Sequence, residues 1–287
     1  MATVAAPERI EALEAPIRRT PKRSWKNLIL PIYTKLIIAY LLVPIAVMIL
    51  YSFNANTAAN ATAPKVSFRW QGFTLDWWRQ WNGVPDLTSA LWNSLLIAVL
   101  STIVATIFGT MIALALVRYR FRGSGTLEVV MFLNIAAPEI VLGAALLSFF
   151  VLINFQQGLL SIFVAHVMFN IAFVAITVRA RLAGFDRAVE EAAQDLGATP
   201  WVTFWRVTFP MIFPGIIAGA LLAFVLSIDD FIITNFVAGS TQTFPLWVYG
   251  TVKVGIPPQV FVMGTLIFMV GVLIAITNVV VQRRKPV

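Results

Sequence analysis

The chain has 287 residues, 59% hydrophobic and only 12% charged, with a mean hydropathy of +0.85, whereas a soluble domain carries about a quarter of its residues as Asp, Glu, Lys and Arg. The net charge of +8 does not point to nucleic acid, because Lys and Arg fall between apolar runs instead of forming one patch. The absence of cysteine excludes disulfides, thiolate metal sites and cysteine nucleophiles within the chain, and the single His166 excludes a bis-histidine haem site.

A hydrocarbon core of roughly 30 Å takes about 20 apolar residues per helical crossing. Six apolar runs reach that length: Leu28 to Phe53, Leu91 to Val117, Leu127 to Ile153, Leu159 to Val178, Ile212 to Val237 and Gln259 to Val281. The expected fold is therefore all-α, a polytopic membrane protein with six transmembrane helices. Its parts are an N-terminal tail over 1–27, a membrane domain over 28–281 with a polar loop at 179–214, and a basic tail over 282–287. The first run exceeds the 7–15 residues of a signal-peptide core, and Glu8, Glu11 and Glu14 precede it, so it is expected to be a retained span.

The cations set the orientation. Arg18, Arg19, Lys22, Arg23 and Lys26 precede the first run, and Arg118, Arg120 and Arg122 follow the second. Arg179, Arg181, Arg187 and Arg206 follow the fourth, and Arg283, Arg284 and Lys285 follow the sixth. With six crossings all of these share one side, which the positive-inside rule makes cytoplasmic, with both termini. The other side holds Lys65, Arg69, Arg79 and Lys253. Its longest connection also holds Trp70, Phe73, Trp77, Trp78 and Trp81, expected as an amphipathic interfacial element, and the sequon Asn60-Ala61-Thr62, which matters only in a glycosylating compartment.

The connection after the fourth run is polar yet favours helix. Asp186 is placed to cap a short helix, with Glu190 and Glu191 in its early turns, Ala192 and Ala193 within it and Gly197 at its end. A second helix can start at once, with Thr199 as N-cap and Pro200 at the first helical position, and Pro210 and Pro214 are expected to interrupt it before the fifth run. The product is a helix-turn-helix protruding from the membrane.

Glu191-Ala192-Ala193, three residues, Gly197, nine residues, Val207, one residue, Phe209-Pro210 resembles the EAA loop of ATP-binding cassette import permeases, with Val207 and Phe209 in place of the usual Ile and Leu. The resemblance implies a cytoplasmic coupling helix that docks into a separate ATPase subunit, with Glu190, Glu191, Ala192, Ala193, Asp195 and Gly197 as the docking residues. It extends across nearly the whole chain. Ala223-Phe-Val-Leu-Ser-Ile-Asp-Asp-Phe-Ile-Ile-Thr, Thr243-Phe-Pro-Leu, Ser52-Phe-Asn, Gly72-Phe-Thr-Leu-Asp-Trp and Pro138-Glu-Ile-Val-Leu-Gly are similar to spermidine/putrescine permeases, although Glu139 stands where Asp is expected. Relatives that import opines or aminophosphonates share much of this pattern. The implied partners are a second, related permease, two ATPase copies and an external substrate-binding protein, in a bacterial inner membrane. The chain has no Walker-type loop, so ATP and Mg belong to the ATPase; this chain is expected to bind no cofactor, metal or nucleic acid, and no residue is assigned as catalytic.

Glu139, Asp229 and Asp230 interrupt the apolar runs. A carboxylate deep in a bilayer is costly unless it faces a polar cavity or a partner, so these acids are candidates for a cation path, or else bond Asn134, His166, Asn170 and Asn235 as structural groups. Trp247 and Tyr249 are candidates for aromatic contact with a substrate cation, against the commoner role of interfacial anchors. His166 is expected as a satisfied interior residue. Adjacent Asp229 and Asp230 project about 100° apart on a helix, which disfavours an aspartyl-protease dyad. A proton-coupled secondary transporter would also use intramembrane acids but leaves the cytoplasmic helix pair unexplained.

Overall fold

The computed structural model describes residues 26–55, 69–184, 186–252 and 255–283. The tail before Lys26, the sequon, Lys65, Phe185, Lys253 and the residues from 284 onward lie outside these. The described residues are helical, with a single isolated bridge between Asn54 and Phe73 and no strand.

Helix α1, Lys26–Tyr51, contains Pro31 and Pro44, and beyond Lys35 its residues are almost all apolar; through Leu50 it is a unit in its own right. The second unit begins at Tyr51. There the tryptophan-rich connection forms the one-turn helix α2, Asp76–Arg79, and its indoles are tied back to the chain: Trp77 Nε1 donates to Asn54 O at 2.9 Å and Trp78 Nε1 to Ser52 Oγ at 3.3 Å. Phe53 stacks between Phe73 and Trp78, with centroids 5.3 and 5.2 Å away.

Helix α3, Pro85–Arg118, opens with proline at its first position, where no N–H is needed. Ser94, Ala98, Ser101, Ala105, Gly109 and Ala113 form a buried stripe at three- and four-residue spacing along it. Such small residues let helix backbones approach closely, the usual device where lipid supplies no hydrophobic drive between helices. At Gly109 a Cβ would lie 2.7 Å from Val174 Cβ, so only hydrogen fits.

The expected third span is broken. Helices α4, Ser124–Ala136, and α5, Glu139–Leu152, meet at 112°. Proline disfavours the helical region for the residue before it, and Ala137 accordingly sits at φ −69°, ψ 138° ahead of Pro138. Helix α6 follows, Leu159–Ala183.

The polar connection contains α7, Ala188–Asp195, and α8, Pro200–Thr203. Asp186 Oδ1 accepts from Ala188 N–H at 3.0 Å, and Thr199 Oγ1 from Val202 N–H at 3.4 Å. Gly197, at φ +88°, closes α7: its N–H bonds Gln194 O at 2.8 Å and Ala198 N–H bonds Ala193 O at 3.1 Å, the pair of bonds that defines a Schellman end. The two prolines do not interrupt the second helix as expected. A π-helical turn, Phe204–Thr208, carries α8 directly into α9, Phe209–Asp229. Phe209 N–H reaches back to Phe204 O, and in this wider turn Pro210, which has no N–H, enters within the first two positions of α9.

Helix α9 stops at Asp229, short of the expected Val237, and α10, Ile232–Val237, starts after a two-residue break. Helices α11, Phe244–Val252, and α12, Gln259–Arg283, complete the chain. Among the described residues four helices are long and apolar enough to cross a membrane (Ile29–Tyr51, Pro85–Arg118, Leu159–Ala183 and Pro200–Asp229), or five with the bent α4–α5 pair as one. Helix α12 contributes a shorter apolar stretch, Gln259–Leu273. In the second unit α3, α6 and α9 pack through Ala105, Ala113, Val174, Val178, Ile212, Ile216 and Ala223. Phe150, Ile162, Phe169, Ile233 and Val237 join α5, α6 and α10.

Candidate functional site

The two helix breaks face each other across one cavity. Its volume is about 430 Å³, and its lining includes Asn134, Glu139, Phe169, Phe173, Asp229, Asp230 and Phe231. Ala137 and Pro138 make one break and Asp230, at φ −62° and ψ 117°, starts the other, so Glu139 begins the helix after the first break and Asp229 ends the helix before the second. Irregular backbone at membrane depth is tolerated where it lines a cavity, which is the situation at both breaks.

The three acids differ in their surroundings. Asp230 is held: its Oδ2 accepts from Thr234 Oγ1 at 2.6 Å and Thr234 N–H at 2.7 Å, and lies 3.3 Å from His166 Nε2. His166 is 1% exposed, with Nε2 3.0 Å from Thr234 Oγ1 and Nδ1 2.6 Å from Ser227 Oγ. Ser227 Oγ lies 3.1 Å from Ser101 Oγ on α3. The string Ser101, Ser227, His166, Thr234, Asp230 thus joins α3, α6, α9 and α10, and His166 is satisfied on both ring nitrogens. Glu139 and Asp229 form no ion pair among the described residues, and no Lys or Arg lines the cavity. Asn134 lends its Nδ2 to Met168 O at 3.0 Å, leaving its buried Oδ1 without a partner; Asn170, fully buried, has none on either atom.

At the other end of α3 the short helix α7 is gripped. Glu190 Oε1 accepts from Arg118, the last residue of α3, and from Thr208, just before α9, while Arg118 also reaches Thr208 Oγ1 at 3.2 Å. Arg187 donates to Val117 O at 2.8 Å. Glu191, Ala192, Asp195 and Gly197 are exposed and Ala193 is half-buried. The apolar side chains Leu196, Trp201 and Trp205 are exposed beside them, Leu196 at 91%.

Residues 105–285 match the family described as binding-protein-dependent transport system inner membrane component. The chain belongs to this family. It is 36% identical over 250 residues to the spermidine/putrescine transport system permease protein PotC of Escherichia coli K12, covering 87% of this chain and 92% of that one. It is 37% identical over 260 residues to the putrescine transport system permease protein PotI of the same organism, covering 88% and 87%. A bacterial transporter for import of the acidic polysaccharide alginate shares the fold at TM-score 0.61 and 18% identity, over 93% of this chain and all of that one. An amino acid ABC transporter does so at TM-score 0.57 and 16% identity, over 74% of this chain. Membership makes the chain a transport subunit of the inner membrane, not an enzyme.

Within this permease fold, α6 through α12, both acids at 229 and 230 and the whole of α7 fall inside the family segment. Of the aromatic candidates, Trp247 packs against the cluster of Leu87, Leu91, Val260 and Met263 and does not line the cavity. Tyr249 lies one ring away, 4.6 Å from Phe231 by centroid. Sequence reasoning missed Ser101, Ser227, Thr234, Arg118 and Thr208. The available signals were Thr234 four residues beyond Asp230 and Ser101 within the small-residue stripe.

Proposed function

We propose that this chain is the membrane-spanning permease of an ATP-driven polyamine importer, with the cavity between the two helix breaks as part of its translocation path. The observation that carries this reading is that Glu139 and Asp229 line one cavity, with no Lys or Arg among its described lining residues and with Phe169, Phe173 and Phe231 beside them. Carboxylates replace water around an ammonium group, and aromatic faces attract it by their quadrupole. Opines and aminophosphonates carry acidic groups that such a wall would repel, so the lining favours the spermidine and putrescine named for the relatives.

The chain is read as crossing the inner membrane six times, with the α4–α5 pair and α12 as the third and sixth spans and both termini cytoplasmic. On that side α7 is the coupling helix, and the exposed Glu191, Ala192, Asp195 and Gly197 meet the ATPase. The exposed Leu196 and Trp201 suit a surface covered by a partner subunit. A second permease completes the path, two ATPase copies supply ATP and Mg chemistry, and an external binding protein delivers the substrate.

The test is uptake of radiolabelled spermidine and putrescine by vesicles holding the reconstituted complex and its binding protein. ATP-dependent uptake that is lost in Gly197→Val supports both the substrate and the docking helix. An assembled complex that hydrolyses ATP yet moves neither polyamine sinks the substrate assignment. Uptake that follows a proton gradient without ATP sinks the importer reading.

A further inference from the structure

Glu190 and Glu191 are neighbours on α7 and project about 100° apart, and the structure treats them differently. The Glu191 side chain is exposed, whereas Glu190 is 14% exposed and turned inward. It accepts from two donors on two other elements: Arg118 at the C-terminal end of α3 and Thr208 at the base of α9. Thr208 is fully buried, and Arg118 bonds it directly, so the three side chains close a triangle.

Helix α7 has eight residues, too few to hold a helical conformation or an orientation by itself. Its fixed end is the Gly197 turn, and its fixed side is the Glu190 triangle, supported by Arg187 on the Val117 carbonyl. Both charges suit their helices as well, since Glu190 lies in the first turn of α7 and Arg118 in the last turn of α3. A charge-assisted hydrogen bond in a half-buried setting is among the stronger side-chain contacts available to such a junction.

We infer that Glu190 is a positioning residue which locks the docking helix to the ends of α3 and α9, so that motion imposed on α7 reaches the two helices carrying Ser101 and Ser227. Glu191 meets the ATPase, and Glu190 meets the rest of the permease. This rests on the reading of α7 as the ATPase-docking element.

The experiment uses the complete transporter, purified through a tag on this chain, with two readouts: ATPase subunits retained per permease, and ATP hydrolysed per spermidine imported. Glu190→Gln keeps the shape and removes the charge. It is expected to retain the ATPase at wild-type stoichiometry while raising the ATP consumed per spermidine at least fivefold. The exchange Arg118→Glu with Glu190→Arg is expected to bring that ratio back toward wild type. Release of the ATPase by Glu190→Gln, to the extent seen with Glu191→Gln, overturns the proposal, and so does an unchanged ratio. If Glu191→Gln retains the ATPase while Glu190→Gln raises the ratio, the docking assignment of Glu191 fails and the positioning role of Glu190 stands. Should Glu190→Gln fail to assemble, the chain's lack of cysteine permits a second route. Arg118→Cys with Glu190→Cys, bridged by a reversible bis-methanethiosulfonate, is expected to import spermidine when linked and to lose coupling when the link is reduced. Import blocked by the link and restored by reduction overturns the proposal.

Discussion

Asp229 and Asp230 are consecutive in the chain, yet only Asp230 is held, with Oδ2 3.3 Å from His166 Nε2 and 2.6 Å from Thr234 Oγ1. The helix ends between them, so the second acid turns back to cap α10 while the first stays on the cavity wall. On the proposed path, Asp229→Asn is therefore expected to lower polyamine uptake about tenfold or more with normal assembly, since it removes one of the two acids that line the cavity without an ion pair among the described residues. Glu139→Gln is expected to behave alike, and the doubly neutral variant to fall further. Uptake assays scored against the amount of purified complex check this; loss of complex in Asp229→Asn would make that residue structural.

Asp230 should answer differently. Removing it leaves the Thr234 N–H and hydroxyl without their acceptor and takes the carboxylate away from His166 Nε2, and an unsatisfied buried donor costs about 1–3 kcal/mol. Asp230→Ala is expected to lower the melting temperature of the detergent-purified chain by several degrees and to reduce the yield of complex. His166→Ala should do the same, and because both changes break one string, the double variant should be less unstable than the sum of the singles. The coupling is expected in the range of about 1–3 kcal/mol, read from a double-mutant cycle of thermal shifts.

The packing of α3 on α6 gives a separate expectation. At Gly109 a methyl group would lie 2.7 Å from Val174 Cβ, and neither side chain has a flexible end to move away. Gly109→Ala is expected to cost about 1–3 kcal/mol through overpacking, with larger residues preventing assembly. Val174→Ala should rescue Gly109→Ala only slightly, because the Val174 Cβ that makes the nearest contact remains, whereas Val174→Gly should relieve more of the clash, as thermal denaturation would reveal.

Much of this was legible in the residues because it rests on local chemistry. Gly197 as the end of α7, Thr199 and Pro200 as the start of α8 and His166 as a satisfied interior residue all follow from short-range rules, and the structure has each of them. The third span was read through Pro138 because the apolar run is continuous from Leu127 to Ile153, and hydropathy does not register a 112° bend. Pro210 and Pro214 failed as interruptions because a π turn, which composition does not announce, brings the chain into α9 before them. The separate fates of Asp229 and Asp230, and the inward turn of Glu190, depend on His166 and Arg118, partners 64 (230 − 166) and 72 residues away in sequence. No local pattern encodes those.

Gly197 links the short helix to everything that depends on it. At φ +88° a side chain is strained whatever space surrounds it, and no atom lies near enough to clash with a Cβ there, so the cost of substitution is conformational and not steric. An L side chain pays about 1–2 kcal/mol in the left-handed region; Asn offsets part of this by bonding locally, and a β-branched residue does not. Gly197→Asn is thus expected to keep most ATPase retention and uptake, Gly197→Ala to lose part, and Gly197→Val to lose most of both. The order Asn, Ala, Val runs against side-chain hydrophobicity and against volume for the first pair. ATPase retention on the tagged permease measures it directly: loss graded by size, with Asn worse than Ala, would mean that the partner's surface rather than the turn requires glycine.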